Sequence, residues 1–267
     1  MIYHGINEMK IAGFTCFLLL TVAACAAAAD HCGAGCPVGG SAQTLEREAY
    51  TLNNNCQRKF ANWVAYKMTK ASQASNRPRH WQRDPALAAT ETLAPAAYKG
   101  ASQALQVDRG HLAPLAGLGG LADWRTLNYL SNITPQESGL NQGAWARLED
   151  GERALVERKG VAAVYSVTGP LFERHIATLP AAPDVEIPSG YWKIIFIGSR
   201  PDKGEYAAFL MDQTTPKNAR FCDYQVTVAN IERRTHPRLS FWSALPVDVA
   251  QRVKTHKWTL ARALGCS

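Results

Sequence analysis

A chain of 267 residues is long enough for one large domain with a sizeable core, or for two small ones. Apolar residues make up 46% and charged residues 19%, ordinary values that place the chain among soluble globular proteins. A formal net charge of +7, with an isoelectric point near 9.1, favours a polyanionic partner such as nucleic acid or an anionic membrane surface only weakly, since many secreted basic proteins bind neither.

In chain order, the first feature is an apolar stretch over residues 11–29, preceded by Lys10 and ending in Ala27, Ala28 and Ala29. It reads as a secretory signal with an A-x-A cleavage site before Asp30, and Met9 is a better start than Met1 because residues 1–8 lack a basic flank. A membrane anchor fits less well, because the stretch is alanine-rich and only just long enough to span. Val22, Ala23, Ala24 and Cys25 also resemble a lipoprotein signal, which would leave a lipid on Cys25. Removing residues 1–29 takes away Glu8 and Lys10, so the net charge stays at +7. The organisation expected is a signal over 1–29 and a single domain over 30–267.

Past the signal no repeat or low-complexity block occurs. The mature chain keeps Cys32, Cys36, Cys56, Cys222 and Cys266. An exported protein meets an oxidising compartment, so disulfides are expected, with one thiol left over. A zinc site at His31, Cys32 and Cys36 lacks a fourth ligand nearby. Residues 37–43 are rich in Gly and Ser and read as a tether. Strands are expected at 48–52 and 63–68. Residues 69–100 read as a long loop. A short strand over 104–107 leads into DRGH, and 128–133 reads as another strand. A helix is expected over 140–158, with Ala144, Leu148 and Leu155 as its apolar stripe. Strands follow at 163–168, 192–198 and 206–211, and helices at 226–234 and 247–254. Strands and helices mix without regular βαβ alternation. The class is therefore α+β, a largely antiparallel central sheet flanked by helices.

DRGH, residues 108–111, places an acid, a base, a glycine and a histidine in a row. A lone histidine at a strand end is most often structural. Here Gly110 allows a sharp bend or a close approach, Arg109 suits a phosphate oxygen, and Asp108 can orient or neutralise a neighbour. A nearby cation would keep His111 neutral, as a general base must be. Asn141 reads blandly as a helix N-cap and functionally as a hard, neutral ligand for magnesium. Glu149 lies eight positions on, about 12 Å along an unbroken helix, too far to grip the same ion directly. Arg153 reads blandly as an ion pair with Glu149 at i+4. Asn132 reads as a turn cap, and Arg79 in RPRHW as a solvated loop cation or a phosphate clamp.

The combination resembles the DNA/RNA non-specific endonuclease family, the ββα-metal nucleases, and within it the secreted Serratia-type branch. YTLNNN, FANWVAY, DRGH, LNYLSNITPQ, LNQGAWARLED, VTGP and YAAFL carry the likeness, which runs from about Cys32 to Cys266. It implies a ββα-metal active-site unit within the α+β fold. His111 would be the general base and Asn141 the one direct protein ligand of a magnesium ion, with manganese as a substitute. Glu149 would hold water on that metal, Arg79, Arg109 and Arg153 would contact phosphate, and Asn132 would lie in the site. The substrates implied are DNA and RNA, single- and double-stranded, cut to 5′-phosphorylated oligonucleotides by a secreted enzyme with no stable membrane partner; a homodimer is left open. The resemblance also implies the disulfides Cys32–Cys36 and Cys222–Cys266, leaving Cys56 without an assignment. A zinc phosphoesterase is the rival enzyme, but the seven histidines are scattered. A basic protein that binds DNA without cutting it would need neither His111 nor Asn141.

Overall fold

The computed structural model describes residues 30–266 other than 34 and 244. The signal and lipoprotein readings over residues 11–29 lie outside the described residues. The strands are β1 (Val38–Gly39), β2 (Thr44–Glu46), β3 (Thr51–Asn55), β4 (Phe60–Met68), β5 (Val107–His111), β6 (Ile133–Glu137), β7 (Val164–Leu171), β8 (Thr178–Leu179), β9 (Ala182–Glu186), β10 (Gly190–Ile197), β11 (Glu205–Asp212), β12 (Gln225–Val226) and β13 (Leu239–Ser240). The α-helices are α1 (Ala101–Leu105), α2 (Leu115–Leu118), α3 (Ser138–Asn141), α4 (Ala144–Val156), α5 (Val228–Arg234), α6 (Val247–Thr255) and α7 (Leu260–Ala263).

Seven strands form one antiparallel sheet in the order β12-β11-β10-β7-β4-β3-β2. Its central strands are apolar on both faces, because both faces are covered. Val64, Tyr66 and Met68 of β4, and Tyr191 and Ile195 of β10, pack with Trp145, Leu148 and Leu155 of α4. Trp63 and Ala65, with Trp192, Ile194 and Phe196, pack with Val228 and Ile231 of α5 and Val253 of α6. The period of two sorts successive side chains to opposite layers. The α+β class is as expected.

Several local expectations change. Residues 104–106 are not strand, and of the strand expected over 104–107 only Val107 belongs to one. Gly100 (φ 76°) and Gln106 (φ 53°) bracket α1, so the chain turns out of a short helix directly into β5, and DRGH itself is strand. Residues 128–132 form tight 3₁₀ turns, and the strand begins only at Ile133. The helix expected over 140–158 breaks after Asn141, and a second helix starts at Ala144. The 37–43 tether is pinned: Val38 and Gly39 pair with β13, and Asn53 Nδ2 donates to the Ser41 carbonyl at 2.8 Å. The strand expected over 48–52 starts later, at Thr51. Residues 69–100 are irregular, as expected, apart from a 3₁₀ turn at Pro95–Tyr98. The disulfides Cys32–Cys36 and Cys222–Cys266 are formed, with Cα–Cα distances of 5.0 and 5.4 Å, and Cys56 is free and exposed.

Candidate active site

Strand β5 pairs antiparallel with β6, and α3 follows β6 without a loop. This small unit lies beside α4 and opens a cleft of about 590 Å³ whose walls include Arg79, Trp81, Arg109, His111, Asn141 and Glu149. Gly110 has a specific reason to be glycine. A Cβ there would sit 2.8 Å from the Gln136 Cβ, too close for two carbons, so only glycine lets Gln136 cross the strand. Close approach, rather than a bend, is its role.

His111 ends β5. Its Nε2 lies 3.3 Å from Asn128 Oδ1, while Asn128 Nδ2 donates to the Pro78 carbonyl at 3.2 Å. A carbonyl can only accept, which fixes the orientation of the Asn128 amide. Its oxygen therefore faces the ring, Nε2 carries the hydrogen, and Nδ1 keeps a lone pair. Burial, first of all, pushes the His111 pKa down to about 4; the Asn128 bond opposes the shift and the Arg79 charge adds to it. The imidazole is neutral at pH 7 as expected. The cause is mainly desolvation, and the contributing cation is Arg79 rather than Arg109. Asn128 was missed by sequence reasoning; its only signal was a polar residue within the apolar LNYLSNI.

Asp108 does not pair with Arg109 or His111. Its Oδ1 accepts from Ser138 Oγ, and its Oδ2 accepts from Asn141 Nδ2 and Gln142 Nε2, each at 2.9 Å. Asn141 closes α3 instead of capping a helix start. With its Nδ2 held by Asp108, its Oδ1 has no donor among the described residues, and Asn141 lines the cleft. Among the described residues no cluster of three His, Cys, Asp or Glu could hold a metal. A single hard amide oxygen suits a cation that keeps most of its waters, such as magnesium, and not a closed zinc cage.

Because the helix breaks at Gln142–Gly143, Glu149 is not 12 Å along a common axis from Asn141; both line the same cleft. Behind Glu149 lies a buried ionic cluster. Lys193 Nζ reaches Glu152 Oε2 at 2.7 Å, Tyr66 Oη at 2.9 Å and Glu149 Oε1 at 3.6 Å. Tyr66 and Ser166 both donate to Glu152. Lys193 and Glu152 are fully buried. Burial pushes the Glu149 pKa up to about 7, opposed by Lys193, raised further by Glu152 and lowered by Arg153. The cluster was legible in part, since Glu152 falls in the apolar stripe of α4 and Lys193 interrupts the run YWKIIFI.

Arg109 lies 5.0 Å from the Tyr98 ring centre and 5.6 Å from that of Trp81, and its Nη2 donates to the Pro95 carbonyl at 3.3 Å. Arg79 is exposed in the cleft and makes no ion pair among the described residues. Arg153 bonds Asp150 instead of Glu149 and does not line the cleft. Asn132 is fully buried and lies outside the cleft lining. It brackets Ala113, accepting from its N–H at 2.8 Å and donating to its carbonyl at 3.1 Å, and so fixes the chain just beyond His111. Trp81, unforeseen, places its ring 5.4 Å from the His111 ring.

A neutral histidine with a free lone pair, an amide oxygen without a donor and unpaired cationic groups in one cleft suit hydrolysis of a phosphodiester. The model of the family described as DNA/RNA non-specific endonuclease matches residues 27–248, and the chain belongs to that family. It is a nucleic-acid hydrolase. It is similar to the Nuclease of Serratia marcescens, 56% identical over 239 residues covering 89% of each chain. It is also similar to Nuclease C1 of Cunninghamella echinulata var. echinulata, 27% identical over 228 residues, which are 79% of this chain and 86% of that one. A solved endonuclease G in complex with its inhibitor has the same fold, with TM-score 0.66 and 22% identity over 78% of this chain and 88% of that one.

Proposed function

We propose that this chain is an exported, magnesium-dependent endonuclease that cuts DNA and RNA, single- or double-stranded, and leaves 5′-phosphorylated ends. The observation that carries the reading is His111, half-buried, neutral and hydrogen-bonded through Nε2, lining the cleft that Asn141 and Glu149 share. His111 Nδ1 takes a proton from a water aligned with the scissile phosphate, and Asn128 stabilises the imidazolium that forms. Asn141 Oδ1 would hold a magnesium ion, or manganese in its place, which would supply positive charge for phosphate oxygens. Asp108 keeps the Asn141 amide turned toward the cleft. Glu149 orients water through hydrogen bonds. Arg79 and Arg109 meet the phosphate oxygens as charge builds. Arg153 acts through its field on Glu149, and Asn132 holds the backbone behind His111. The two disulfides support an oxidising compartment, with residues 1–29 removed as a signal and 30–267 forming one soluble domain.

The test is nicking of supercoiled plasmid and of RNA, with magnesium, with manganese and with EDTA. Nicking in both metals and none in EDTA is expected; cleavage that survives EDTA would remove the metal from the mechanism. Product ends that accept label from a polynucleotide kinase only after phosphatase treatment would bear out the 5′-phosphate. An intact mass beginning at Asp30 is expected for the exported protein, and a lipid-sized increment on a chain starting at Cys25 would overturn the soluble reading.

A further inference from the structure

Beside the Asn141 turn, the segment 213–220 is irregular yet firmly seated. Thr215 Oγ1 donates to the Asp212 carbonyl at 2.7 Å, and the Ala219 N–H to the Pro216 carbonyl at 2.9 Å. Arg147, from α4, donates through Nη2 to the carbonyls of Lys217 and Ala219 at 2.8 and 2.6 Å. The helix break is shaped to receive this segment. A Cβ at Gly143 would lie 2.5 Å from the Lys217 carbonyl oxygen and 2.8 Å from its Cα, so a larger residue would push the segment away.

This seating presents the Lys217 ammonium at the edge of the cleft. Lys217 is exposed, and its Nζ lies 3.5 Å from Gln142 Oε1, a neutral acceptor. Among the described residues no carboxylate pairs with it. Gln142 lines the cleft and bonds Asp108, which also holds Asn141. Lys217 therefore sits one residue outward from the metal-ligand turn without lining the cleft itself. Its guanidinium neighbour, Arg147, is committed to backbone carbonyls, so Lys217, like the exposed Arg220 at the end of the segment, is a charge offered to solvent here.

We propose that Lys217 forms a phosphate subsite for the phosphodiester next to the scissile one, so that the enzyme grips a polymer by more than its reacting group. The proposal rests on the nuclease reading above. A cation on a braced segment loses less conformational freedom on binding than one on a loose loop, which is the physical use of the Arg147 bonds and of Gly143. Arg79 and Arg109 serve the phosphate being cut, and Lys217 serves its neighbour. A substrate with only one phosphate cannot reach it.

The experiment measures steady-state cleavage of long duplex DNA and of RNA over a range of salt, and of bis(4-nitrophenyl) phosphate, a diester with a single phosphate. For Lys217→Ala the expected result is a KM on polymer raised about twofold to fivefold at low salt, as for one exposed charge contact. The kcat on polymer should stay within about twofold. The dependence of log(kcat/KM) on log salt should flatten by about 0.9, the loss of one phosphate contact on duplex. The single-phosphate diester should not distinguish the variant from wild type. Lys217→Arg should keep polymer affinity, and Arg147→Ala, which frees the segment but leaves the charge, should fall between. Unchanged polymer KM and salt slope in Lys217→Ala would overturn the subsite. An equal loss on polymer and on the single-phosphate diester would also overturn it, placing Lys217 in the support of the Asn141 turn instead. Wild-type protein inert toward every substrate would fail the nuclease reading itself, an outcome told apart because it appears before any substitution is made.

Discussion

Two polar clusters lie on either side of Glu149, and they are built on opposite rules. Behind it, Lys193, Glu152, Tyr66 and Ser166 are fully buried and spend their hydrogen bonds on one another. In front of it, the cleft wall leaves groups open: the lone pair of His111 Nδ1, the Asn141 Oδ1 and the Arg79 guanidinium. A buried charge without a partner is costly, so the rear cluster must be closed. A reactive group already satisfied by the protein has nothing to offer a substrate, so the front cluster must be open. Glu149 belongs to both, with Lys193 at its back and the cleft at its face.

The sharpest way to break this contrast is to remove one member from each side. His111→Ala should cut turnover by about 10² to 10⁴, roughly 3 to 5 kcal/mol in the barrier, while the melting temperature hardly moves. Lys193→Met should do the reverse on the stability axis. It strands the Glu152 carboxylate and should cost about 3 to 5 kcal/mol in denaturant unfolding. The double variant Lys193→Met with Glu152→Gln should recover most of that loss, because no fully buried charge is left without a partner and Glu149 still faces the cleft. A Lys193→Met protein as stable as wild type would show that the rear cluster is not closed in solution.

A smaller effect is expected one step behind the open wall. Asp108→Ala frees the Asn141 amide to turn, and magnesium affinity should fall about 10- to 100-fold. Titration calorimetry with the metal alone reads this without any turnover, and an unaltered affinity would separate Asp108 from the metal site.

The pH profile sharpens the position of Glu149. Its pKa is raised to about 7, so its carboxyl is protonated below that and ionised above it. The His111 pKa is lowered to about 4, so His111 keeps its basic form throughout the neutral range. Activity should therefore rise with pH through a limb near 7 that belongs to Glu149, with His111 contributing only as pH falls toward 4. In Glu149→Gln the limb near 7 should vanish from whatever rate remains; a limb that stays in place would assign it to another group.

The smallest effect should come from the exposed edge. Arg79→Ala should lower kcat/KM on DNA about twofold to fivefold and flatten its salt dependence, leaving stability unchanged. Salt-independent loss would point to a structural role for Arg79.

The order of residues along the chain was enough for the sheet and the family. Runs such as FANWVAY and YWKIIFI carry enough apolar surface on both faces to demand burial in the middle of a covered sheet, and Ala144, Leu148 and Leu155 mark the buried face of the helix that packs there. DRGH, NITPQ and LNQGAW, in that order, pointed to the chemistry and to His111, Asn141 and Glu149, which the fold does bring to one cleft. The state those groups are in follows from contacts made in the folded chain. Asn128 meets His111 through 3₁₀ turns that periodicity does not reveal, Asp108 turns from its neighbours to hold Asn141 33 positions away, and Lys193 reaches Glu149 and Glu152 from a separate strand. The physical reason is that a pattern of apolar residues reports which surfaces leave water. The charge and tautomer of a polar group depend instead on how completely water is excluded around it and on which partner meets it there, and both are set by segments distant in the chain.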